Sequence, residues 1–525
     1  MEDQMQEKRP VLIVGAGPTG MAAALELVRF GIPLRVVDKY AEPSGTSRAL
    51  AVQARTLELM HQRGLADEMV ALGNKGLFTT MYAAGKQLGQ VDLRQIDSRF
   101  NYTLLLAQSE TERILREKLE ESGVLIERQT ELVAFEQPER GSGVQAMLRK
   151  GDGSLEEFEA TYLIDAEGAH SVVRRAAHLP FDGKSMPNSY ALADLHVDGD
   201  VAEDQLSIFL ASSGLLAAFP MGNRRFRVIA TEKEAVDKDA PDPDLDYMHA
   251  MWSAGTHIPV AFRNMVWSSR FRINSRAMHQ LRYRSVFFGG DSAHIHSPAG
   301  GQGMNTGIQD MMNLGWKLAL VYRGLAKESL LDTYNEERMP IIRHLVEATE
   351  RATDLFNSDN PVVHSLITHA LPLALSFPGI QQKGATIVSQ LGGNYQKSSL
   401  SENLRCEGTL QAGDRFPDVV LNEETGTRVL DLLDPSAFTA FCFGGGLEAV
   451  KHELTKLTLP IVEHTLPVAS DVVRGLLGNS AVAVVRPDGY LLCTGHPSEI
   501  LNQLRAWTLR WLCLASSGHS SEGTS

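Results

Sequence analysis

The chain has 525 residues, of which 43% are hydrophobic and 22% are charged, a balance typical of a globular protein with a large core. Its 50 Lys and Arg residues against 64 Asp and Glu residues give a formal net charge of −14. That acidity argues against nucleic acid or an anionic membrane as an electrostatic partner, and the length leaves room for three or four domains.

The termini, the most apolar stretch and the cysteines all predict a cytoplasmic protein. Residues 1–10 are charged and polar, so they lack the apolar core of a secretory signal. Residues 361–378 are apolar but contain three prolines and two histidines, which predicts a packed helix or helix pair and no membrane span. The four cysteines are far apart in the sequence, as expected for a reduced protein without a cysteine metal site: Cys406, Cys442, Cys493 and Cys513.

The chain opens with a strand–turn–helix–strand pattern. Residues 11–14 predict a short apolar strand, 21–30 a helix rich in alanine and leucine, and 34–37 a second strand. Gly-x-Gly-x-x-Gly at 15–20 joins the first strand to the helix, and Asp38 follows the second strand. Such a turn brings backbone against a pyrophosphate, and the acid accepts hydrogen bonds from ribose hydroxyls. The unit predicts a parallel sheet and a dinucleotide site, without separating NAD from FAD.

The middle of the chain changes character twice. Helical patterns at 55–62 and 110–121 are followed, over residues 181–275, by short alternating runs that predict an antiparallel sheet. An apolar strand at 286–288 and a long helix at 307–323 then restore the first pattern. The antiparallel sheet is therefore predicted to interrupt a Rossmann-like domain.

A second glycine-rich turn, residues 289–305, opens the long helix. Asp291 lies just past a strand end, where ligands bind in such sheets, and its carboxylate can accept hydrogen bonds from a ribityl chain. Pro298 and residues 300–303 can bring backbone against a flat ring, and the helix N-terminus favours an anionic reduced flavin. A loop that merely reverses the chain would not need Asp291 and Asn305. Two distant turns that close on one long ligand predict FAD.

Beyond a polar linker at about 392–411, the pattern predicts a separate small α/β domain. Strand-like runs occur at 438–443, 481–485 and 490–493, and a helical pattern follows at 500–512. A domain of about a hundred residues is a common size.

The two turns, with a third motif between them, resemble the single-component (class A) FAD-dependent aromatic hydroxylases, the group of para-hydroxybenzoate and phenol hydroxylases. The second turn matches this family at Gly290 and Asp291, at Ala293 and His294, at Pro298 and over residues 300–305. The central motif at 165–174 reads Asp-Ala-Glu-Gly-Ala-His-Ser-Val-Val-Arg. The family normally has Asp where this chain has Glu167, and that Asp supports both FAD and NAD(P)H.

The resemblance implies a set of FAD contacts. Arg48 would lie near the flavin or its phosphates, although a surface ion pair with Glu42 or Asp38 is the alternative. Gln108 would touch the ribityl chain, and Val133 would contact adenine through its backbone. The expected cofactor-binding residues are Gly15, Ala16, Gly17, Gly20, Asp38, Lys39, Arg48, Gln108, Val133, Asp291, Pro298, Gly301, Gln302, Gly303, Met304 and Asn305.

The resemblance also implies an NAD(P)H- and O2-dependent monooxygenase. NADPH or NADH would bind transiently and reduce FAD, and a flavin C4a-hydroperoxide would hydroxylate a phenolic or polycyclic aromatic substrate. Phe219 and Pro220 would line the substrate pocket, with ordinary core packing as the alternative for Phe219. Because the flavin carries the chemistry, no catalytic residue is assigned, and Arg48 and Pro298 are expected only to lie near the flavin.

The expected architecture combines α/β and α+β parts. Residues 1–180 and 276–395 would form the discontinuous FAD-binding domain, and 181–275 the substrate-binding β-sheet domain. Residues 405–515 would form a thioredoxin-like domain without redox cysteines, suited to packing or dimerisation, so a homodimer is left open.

Two other functions stay open at this point. One is an FAD monooxygenase that oxidises a polyketide, quinone or antibiotic by epoxidation or other oxygen insertion. The other is a non-catalytic FAD-binding protein, which Glu167 would favour. The sequence has no second Gly-x-Gly-x-x-Gly and no Cys-x-x-Cys, which argues against a separate NADPH domain and against disulfide reductases. His294 and His296 are expected to be structural, and no metal is expected.

Overall fold

The computed structural model describes residues 8–43, 49–83, 85–138, 143–211, 214–232, 236–237, 240–297, 300–356, 358, 360–444, 452–454, 459–467, 469–479 and 481–513. Contacts divide the chain into two compact units. The first unit comprises Met1–Met312 with Arg338–Gly393, and the second comprises Asn313–Glu337 with Asn394–Ser525.

The strands of the first unit, in chain order, are β1 (Val11–Val14), β2 (Leu34–Val37), β3 (Ala51–Val52), β4 (Asn74–Gly76), β5 (Phe78–Ala83), β6 (Lys86–Asp92), β7 (Thr103–Leu105), β8 (Ile126–Glu127), β9 (Glu131–Glu136), β10 (Val144–Arg149), β11 (Leu155–Ala160), β12 (Leu163–Asp165), β13 (Asp182–Gly199), β14 (Gln205–Ala211), β15 (Gly214–Gly222), β16 (Arg225–Glu232), β17 (Val260–Ala277), β18 (Arg282–Tyr283), β19 (Val286–Phe288) and β20 (His294–Ile295). The second unit adds β21 (Val420–Asn422), β22 (Thr427–Arg428), β23 (Phe438–Phe443), β24 (Ile461–Leu466), β25 (Val482–Val485) and β26 (Leu491–Gly495).

The helices are α1 (Pro18–Arg29), α2 (Ala54–His61), α3 (Ala66–Leu72), α4 (Gln108–Glu121), α5 (Val172–Ala176), α6 (Leu245–Thr256), α7 (Gly303–Tyr322), α8 (Asp332–Phe356), α9 (Pro361–Leu375), α10 (Pro378–Ser389), α11 (Val429–Leu432), α12 (Asp471–Leu477) and α13 (Pro497–Trp511). Short 3-10 turns lie at Leu93–Gln95, Gly290–Ser292 and Glu328–Leu331. None of the described helices has the length and apolar composition needed to cross a membrane.

A six-stranded sheet in the order β18-β19-β12-β1-β2-β8 forms the base of the first unit. β1 pairs in parallel with β2 and β12, and β12 pairs in parallel with β19, so their carboxyl ends meet at one edge. Every residue of β1 is buried, as expected of a strand covered on both faces. The strands predicted at 11–14, 34–37 and 286–288 are confirmed. The first helix begins at Pro18, three residues before the prediction, because proline fits the first turn of a helix.

An eight-stranded sheet in the order β20-β17-β13-β16-β15-β14-β5-β6 forms the other large layer of the first unit. Its neighbours are antiparallel except for β14 and β5, which run parallel. The antiparallel character predicted for 181–275 is confirmed. The sheet also includes β5, β6 and β20 from outside that segment, because β5 pairs with β14, β6 with β5, and β20 with β17. The domain boundaries therefore stay predictions.

Helix α6 covers one face of the eight-stranded sheet. Trp252 of α6 is fully buried against side chains that alternate along β14, β15 and β16, among them Phe209, Leu216 and Val228. Because successive side chains of a strand point to opposite faces, the residues between them lie on the face that α6 does not cover. We call this second face the uncovered face of the sheet.

The second unit contains a four-stranded sheet in the order β24-β23-β25-β26, which confirms the three strands predicted there. A buried charge cluster lies in this unit, where Glu337 accepts hydrogen bonds from Arg486 and Lys317. Burial lowers the pKa of Lys317 to about 8, although Glu337 opposes that shift. The thioredoxin-like assignment stays a prediction.

Candidate active site

The Gly15–Gly20 turn leaves an open space at the start of α1. A Cβ on Gly15 would lie 2.3 Å from the Ala166 carbonyl oxygen, and one on Gly20 would lie 1.8 Å from the Gly15 oxygen. These two glycines are therefore required by packing. A Cβ on Gly17 would meet nothing within 4 Å, and no side chain caps the helix N-terminus there. The turn thus offers backbone N–H groups and free space to an anionic diphosphate.

Asp38 lies beside this turn with its carboxylate held by backbone donors. The Ala16 N–H donates to Oδ2 at 2.8 Å, and the Tyr40 N–H donates to Oδ1 at 2.9 Å. The guanidinium of Arg128 lies 3.6 Å away. Lys39 is exposed, with its ammonium 5.2 Å from the centre of the Tyr40 ring. The structure thus brings together Ala16 of the first turn and the carboxylate of Asp38.

Thr19 joins the two glycine-rich turns. A Cβ on Gly290 would lie 2.4 Å from the Thr19 hydroxyl oxygen, and so would a Cβ on Gly307. Gly290 has a φ of +58°, so both its conformation and its surroundings favour glycine. The turn bearing Asp291, which is exposed, therefore packs on the first turn of α1. Thr19 occupies an unspecified position of the first motif, and its role was not predicted because it depends on a partner far along the chain.

Asn305 anchors the start of α7. Its Oδ1 accepts from the Gln53 N–H at 2.8 Å, and its Nδ2 donates to the oxygens of Ala51 at 2.8 Å and Gly301 at 2.9 Å. The Gln53 side chain donates in turn to the Gly300 oxygen at 3.0 Å. Gln53 was not predicted as a site residue, and its place in the site is seen only from its hydrogen bonds to Asn305 and Gly300.

The other predicted residues of the second turn lie at the same place. Gly303 and Met304 are the first residues of α7 and are half-buried, so the backbone there is open to a ligand. A Cβ on Gly301 would lie 2.6 Å from the Ala51 Cβ, so this glycine permits close packing. Gln302 is buried and donates to the Ile387 oxygen at 3.3 Å. Pro298 lies outside the described residues, as does Arg48.

Gln108 binds the backbone that follows Arg48. The Ala49 N–H donates to Gln108 Oε1 at 3.1 Å, and the Gln108 N–H donates to the Ala49 oxygen at 3.1 Å. Gln108 Nε2 donates to Glu112 at 2.8 Å, and burial raises the pKa of Glu112. Val133 is half-buried in β9, which begins next to Thr130, whose N–H donates to the Asp38 oxygen. Gln108 thus lies beside Ala49, and Val133 lies on a strand that begins next to the backbone of Asp38.

Glu167 holds the first turn of α5. Its carboxylate accepts from the N–H groups of Val172 at 2.8 Å and Val173 at 3.3 Å. Asp165, which is fully buried, accepts from the Ser171 hydroxyl, and burial together with the charge of Glu167 raises its pKa. The Glu167 carboxylate therefore caps the start of α5, and this structural role accounts for a carboxylate at this position.

The two histidines of the second turn have different surroundings. His294 Nε2 lies 2.8 Å from Asp310, whose other oxygen accepts from Arg338, so the expected structural role fits His294. His296 Nδ1 lies 2.8 Å from the Ser297 oxygen, whereas its Nε2 is buried and meets no hydrogen-bond partner in the described part of the chain. Burial and the charge of His294 lower the pKa of His296 to about 4, so its ring is neutral near pH 7.

The uncovered face of the eight-stranded sheet adjoins these cofactor turns. Leu206 and half-buried Phe219 pack against Leu50 and Ala51, the segment that Asn305 binds. Pro220 follows Phe219 in β15 and by the alternation of a strand lies on the α6 side. The predicted lining residue Phe219 thus lies where the sheet meets the second turn.

A buried ion pair lies on the same face. Arg227 donates two hydrogen bonds to Asp194, from Nε at 2.7 Å and from Nη2 at 2.8 Å, and Trp267 donates to that carboxylate at 3.0 Å. Arg227 Nη1 also donates to the Ala49 oxygen at 3.4 Å. Neither Asp194 nor Arg227 was predicted, since each is a single charged residue within an alternating strand.

Comparison with known proteins agrees with this arrangement. Residues 8–349 match the model of the FAD binding domain family. The 6-methylpretetramide 4-monooxygenase of Streptomyces rimosus is 35% identical over 519 residues, covering 93% of this chain and 91% of that protein. The pentachlorophenol 4-monooxygenase of Sphingobium chlorophenolicum is 31% identical, with 78% and 76% covered. The solved structure of the OxyS anhydrotetracycline hydroxylase from Streptomyces rimosus has a TM-score of 0.76 at 28% identity, covering 95% of this chain and 99% of that one.

The residues present fit FAD, because the open space at Gly17, the carboxylate of Asp38 and the uncapped start of α1 supply what its diphosphate and ribose need. The expected fold class and FAD dependence are confirmed by the matching family and by the related structures. The chain belongs to the FAD binding domain family and, within it, to the FAD-dependent aromatic monooxygenases.

Proposed function

We propose that this chain uses NADPH or NADH and O2 to hydroxylate a phenolic ring held against the uncovered face of the eight-stranded sheet. The observation that carries the proposal is the position of that face. Phe219 and Leu206 join it to Leu50 and Ala51, which Asn305 links to the start of α7. A substrate on this face would therefore lie next to the predicted flavin ring.

The chain's own residues would supply binding, orientation and exclusion of water. Gly17 and the start of α1 would hold the diphosphate, Asp38 the ribose, and Gln108 and Asp291 the ribityl chain. The start of α7, at Gly303 to Asn305, would direct its partial positive charge at the ring. Bound FAD supplies the hydride acceptance and oxygen activation that no amino-acid side chain provides.

The substrate is proposed to be a phenolic or polycyclic aromatic molecule related to those of the named relatives. One relative acts on 6-methylpretetramide and another on pentachlorophenol, so the comparisons support ring hydroxylation in both large and small aromatic molecules. The apolar side chains on the proposed face, Leu206 and Phe219 among them, would keep water away from the reacting ring. The cytoplasmic location and a homodimer stay predictions.

The test is NAD(P)H oxidation by the FAD-loaded enzyme in the presence of phenol, naphthol and hydroxyanthraquinone. We expect at least one of these compounds to accelerate NAD(P)H oxidation and to yield a product heavier by one oxygen atom. If none accelerates flavin reduction, the proposal that a phenolic ring is held against this face is wrong. A product with an epoxide in place of a phenolic hydroxyl would instead support the oxygen-insertion alternative.

A further inference from the structure

A row of apolar side chains crosses the uncovered face of the eight-stranded sheet. The strand registers place Met81 of β5 opposite Ile208 of β14, Ile208 opposite Ala217 of β15, and Ala217 opposite Ile229 of β16. All four point away from α6, because their strand neighbours lie in or pack against the core beneath that helix: Tyr82, Phe209, Leu216, Ala218 and Val228. We call this set the apolar row.

The apolar row is more exposed than the row beside it. The adjacent row, with Leu206 and Phe219, is covered by Leu50 and Ala51. Met81, Ile208 and Ile229 remain half-buried, whereas Ala217 between the two isoleucines is only 2% exposed. Because alanine is smaller than isoleucine, the Ala217 side chain projects less far from the sheet than those of Ile208 and Ile229. A flat molecule can therefore touch Ile208 and Ile229 at the same time.

Helix α9 limits the row at one end. Gly89 of β6 pairs with Met81, and a Cβ on Gly89 would lie 2.4 Å from Leu375 Cδ1. Because Gly89 has no side chain, Leu375 can pack at the β6 end of the row. From Met81 to Ile229 there are three strand spacings, or about 14 Å. That is enough for about three or four fused six-membered rings lying side by side along the row, and more than a single phenol ring covers.

We infer that Ile208 and Ile229 are specificity-determining residues that select a flat substrate of three or four fused rings. This inference rests on the proposed function and adds to it the size of the substrate. The row offers no hydrogen-bonding side chain, so it recognises a ring system by its shape and area. Each additional ring that lies on the row removes more apolar surface from water and strengthens binding.

The experiment measures dissociation constants for phenol, 2-naphthol and 1-hydroxyanthraquinone from the change in the absorbance of bound FAD. We expect the wild type to bind more tightly as the number of rings rises. Ile208→Phe and Ile229→Phe add bulk that projects over the row. They should weaken hydroxyanthraquinone binding about tenfold or more and phenol binding less than about twofold. Val266→Phe, at an exposed position of β17, is the matched control.

Each outcome bears on one of the two proposals. Equal weakening for phenol and hydroxyanthraquinone, or none in either phenylalanine variant, overturns the inference. So does a wild type that binds and hydroxylates only single-ring phenols, while the proposed function then stands. A wild type that hydroxylates none of the three compounds overturns the proposed function instead. Because the phenylalanine variants could fail to fold, Ile208→Ala and Ile229→Ala serve as second variants, and they should also weaken the three-ring ligand selectively.

Discussion

The hydroxyl of Thr19 lies 2.4 Å from the position that a Cβ on Gly290 would occupy. This contact fixes the second glycine-rich turn against the first turn of α1, and so brings the two halves of the proposed FAD site together. An alanine at Gly290 would have to push Thr19 aside and would also strain a backbone with a φ of +58°.

Gly290→Ala is therefore expected to weaken FAD binding. Overpacking costs about 1–3 kcal/mol, which corresponds to roughly a 5- to 150-fold rise in the dissociation constant if the strain falls on the FAD-bound form. The quenching of FAD fluorescence on binding measures this constant. Gly64→Ala is the matched control, because Gly64 has a φ of +71° but no atom within 4 Å of its Cβ position. Equal loss of FAD affinity in both variants would contradict the role given to Thr19.

Gly17→Ala tests whether the open space at Gly17 serves FAD binding or the stability of the fold. Because a Cβ on Gly17 meets no protein atom within 4 Å, the substitution should leave the thermal midpoint of the FAD-free protein within about 2 °C of the wild type. The methyl group would, however, occupy the space proposed for the diphosphate, and FAD affinity should fall about tenfold or more.

Gly379→Ala, at another open glycine, should change neither the thermal midpoint nor FAD affinity. By contrast, Gly20→Ala should destabilise the FAD-free fold, because its Cβ would lie 1.8 Å from the Gly15 oxygen. If Gly17→Ala bound FAD as tightly as the wild type, the diphosphate could not lie against Gly17.

Replacing one partner of the Asp194–Arg227 ion pair should lower the free energy of unfolding much more than replacing both partners together. Arg227→Met leaves a buried, unpaired carboxylate, which typically lowers the free energy of unfolding by about 3–5 kcal/mol. The double variant Asp194→Leu with Arg227→Met has no buried charge and should recover most of that loss. Urea unfolding followed by tryptophan fluorescence measures both. A double variant that is no more stable than Arg227→Met would show that the pair does more than neutralise a buried charge.

The first βαβ unit and the second glycine-rich turn could be predicted because their signals are local. Strands at 11–14 and 34–37 are confirmed to the residue, since each is a short apolar run bounded by a turn. Helix α7 begins at Gly303, four residues before the predicted start. The prediction was late because the glycines near the start of α7 are typical of a loop. Local composition thus predicted the elements better than it predicted their ends.

Long-range partners could not be predicted. The parallel pairing of β14 with β5 joins residues more than a hundred positions apart, and nothing in either strand encodes the other. Gln53, Thr19 and Arg227 reach the site only through such contacts, so a single sequence gives no sign of their role. Motifs predicted the backbone turns of the site, whereas the side chains that join them needed the fold.

His296 should make the protein sensitive to mild acid. Its folded pKa of about 4 lies below the usual value of 6.5, so the folded state disfavours the charged ring. The stability that the neutral ring provides is fully present above pH 6.5 and is lost as the pH falls from 6.5 through 4. The thermal midpoint of His296→Gln, which does not titrate, should fall less between pH 7 and pH 5 than that of the wild type. An equal fall in both proteins would show that His296 titrates normally.

The most direct test of the central claim, a monooxygenase acting on an aromatic ring, follows the oxygen atom. The FAD-loaded enzyme is supplied with NAD(P)H, isotopically labelled O2 and the phenol that best accelerates NAD(P)H oxidation, and the product is weighed by mass spectrometry. We predict one labelled oxygen atom in each product molecule and one NAD(P)H consumed for each product formed. Unaltered substrate, with all consumed O2 recovered as hydrogen peroxide, would contradict the account.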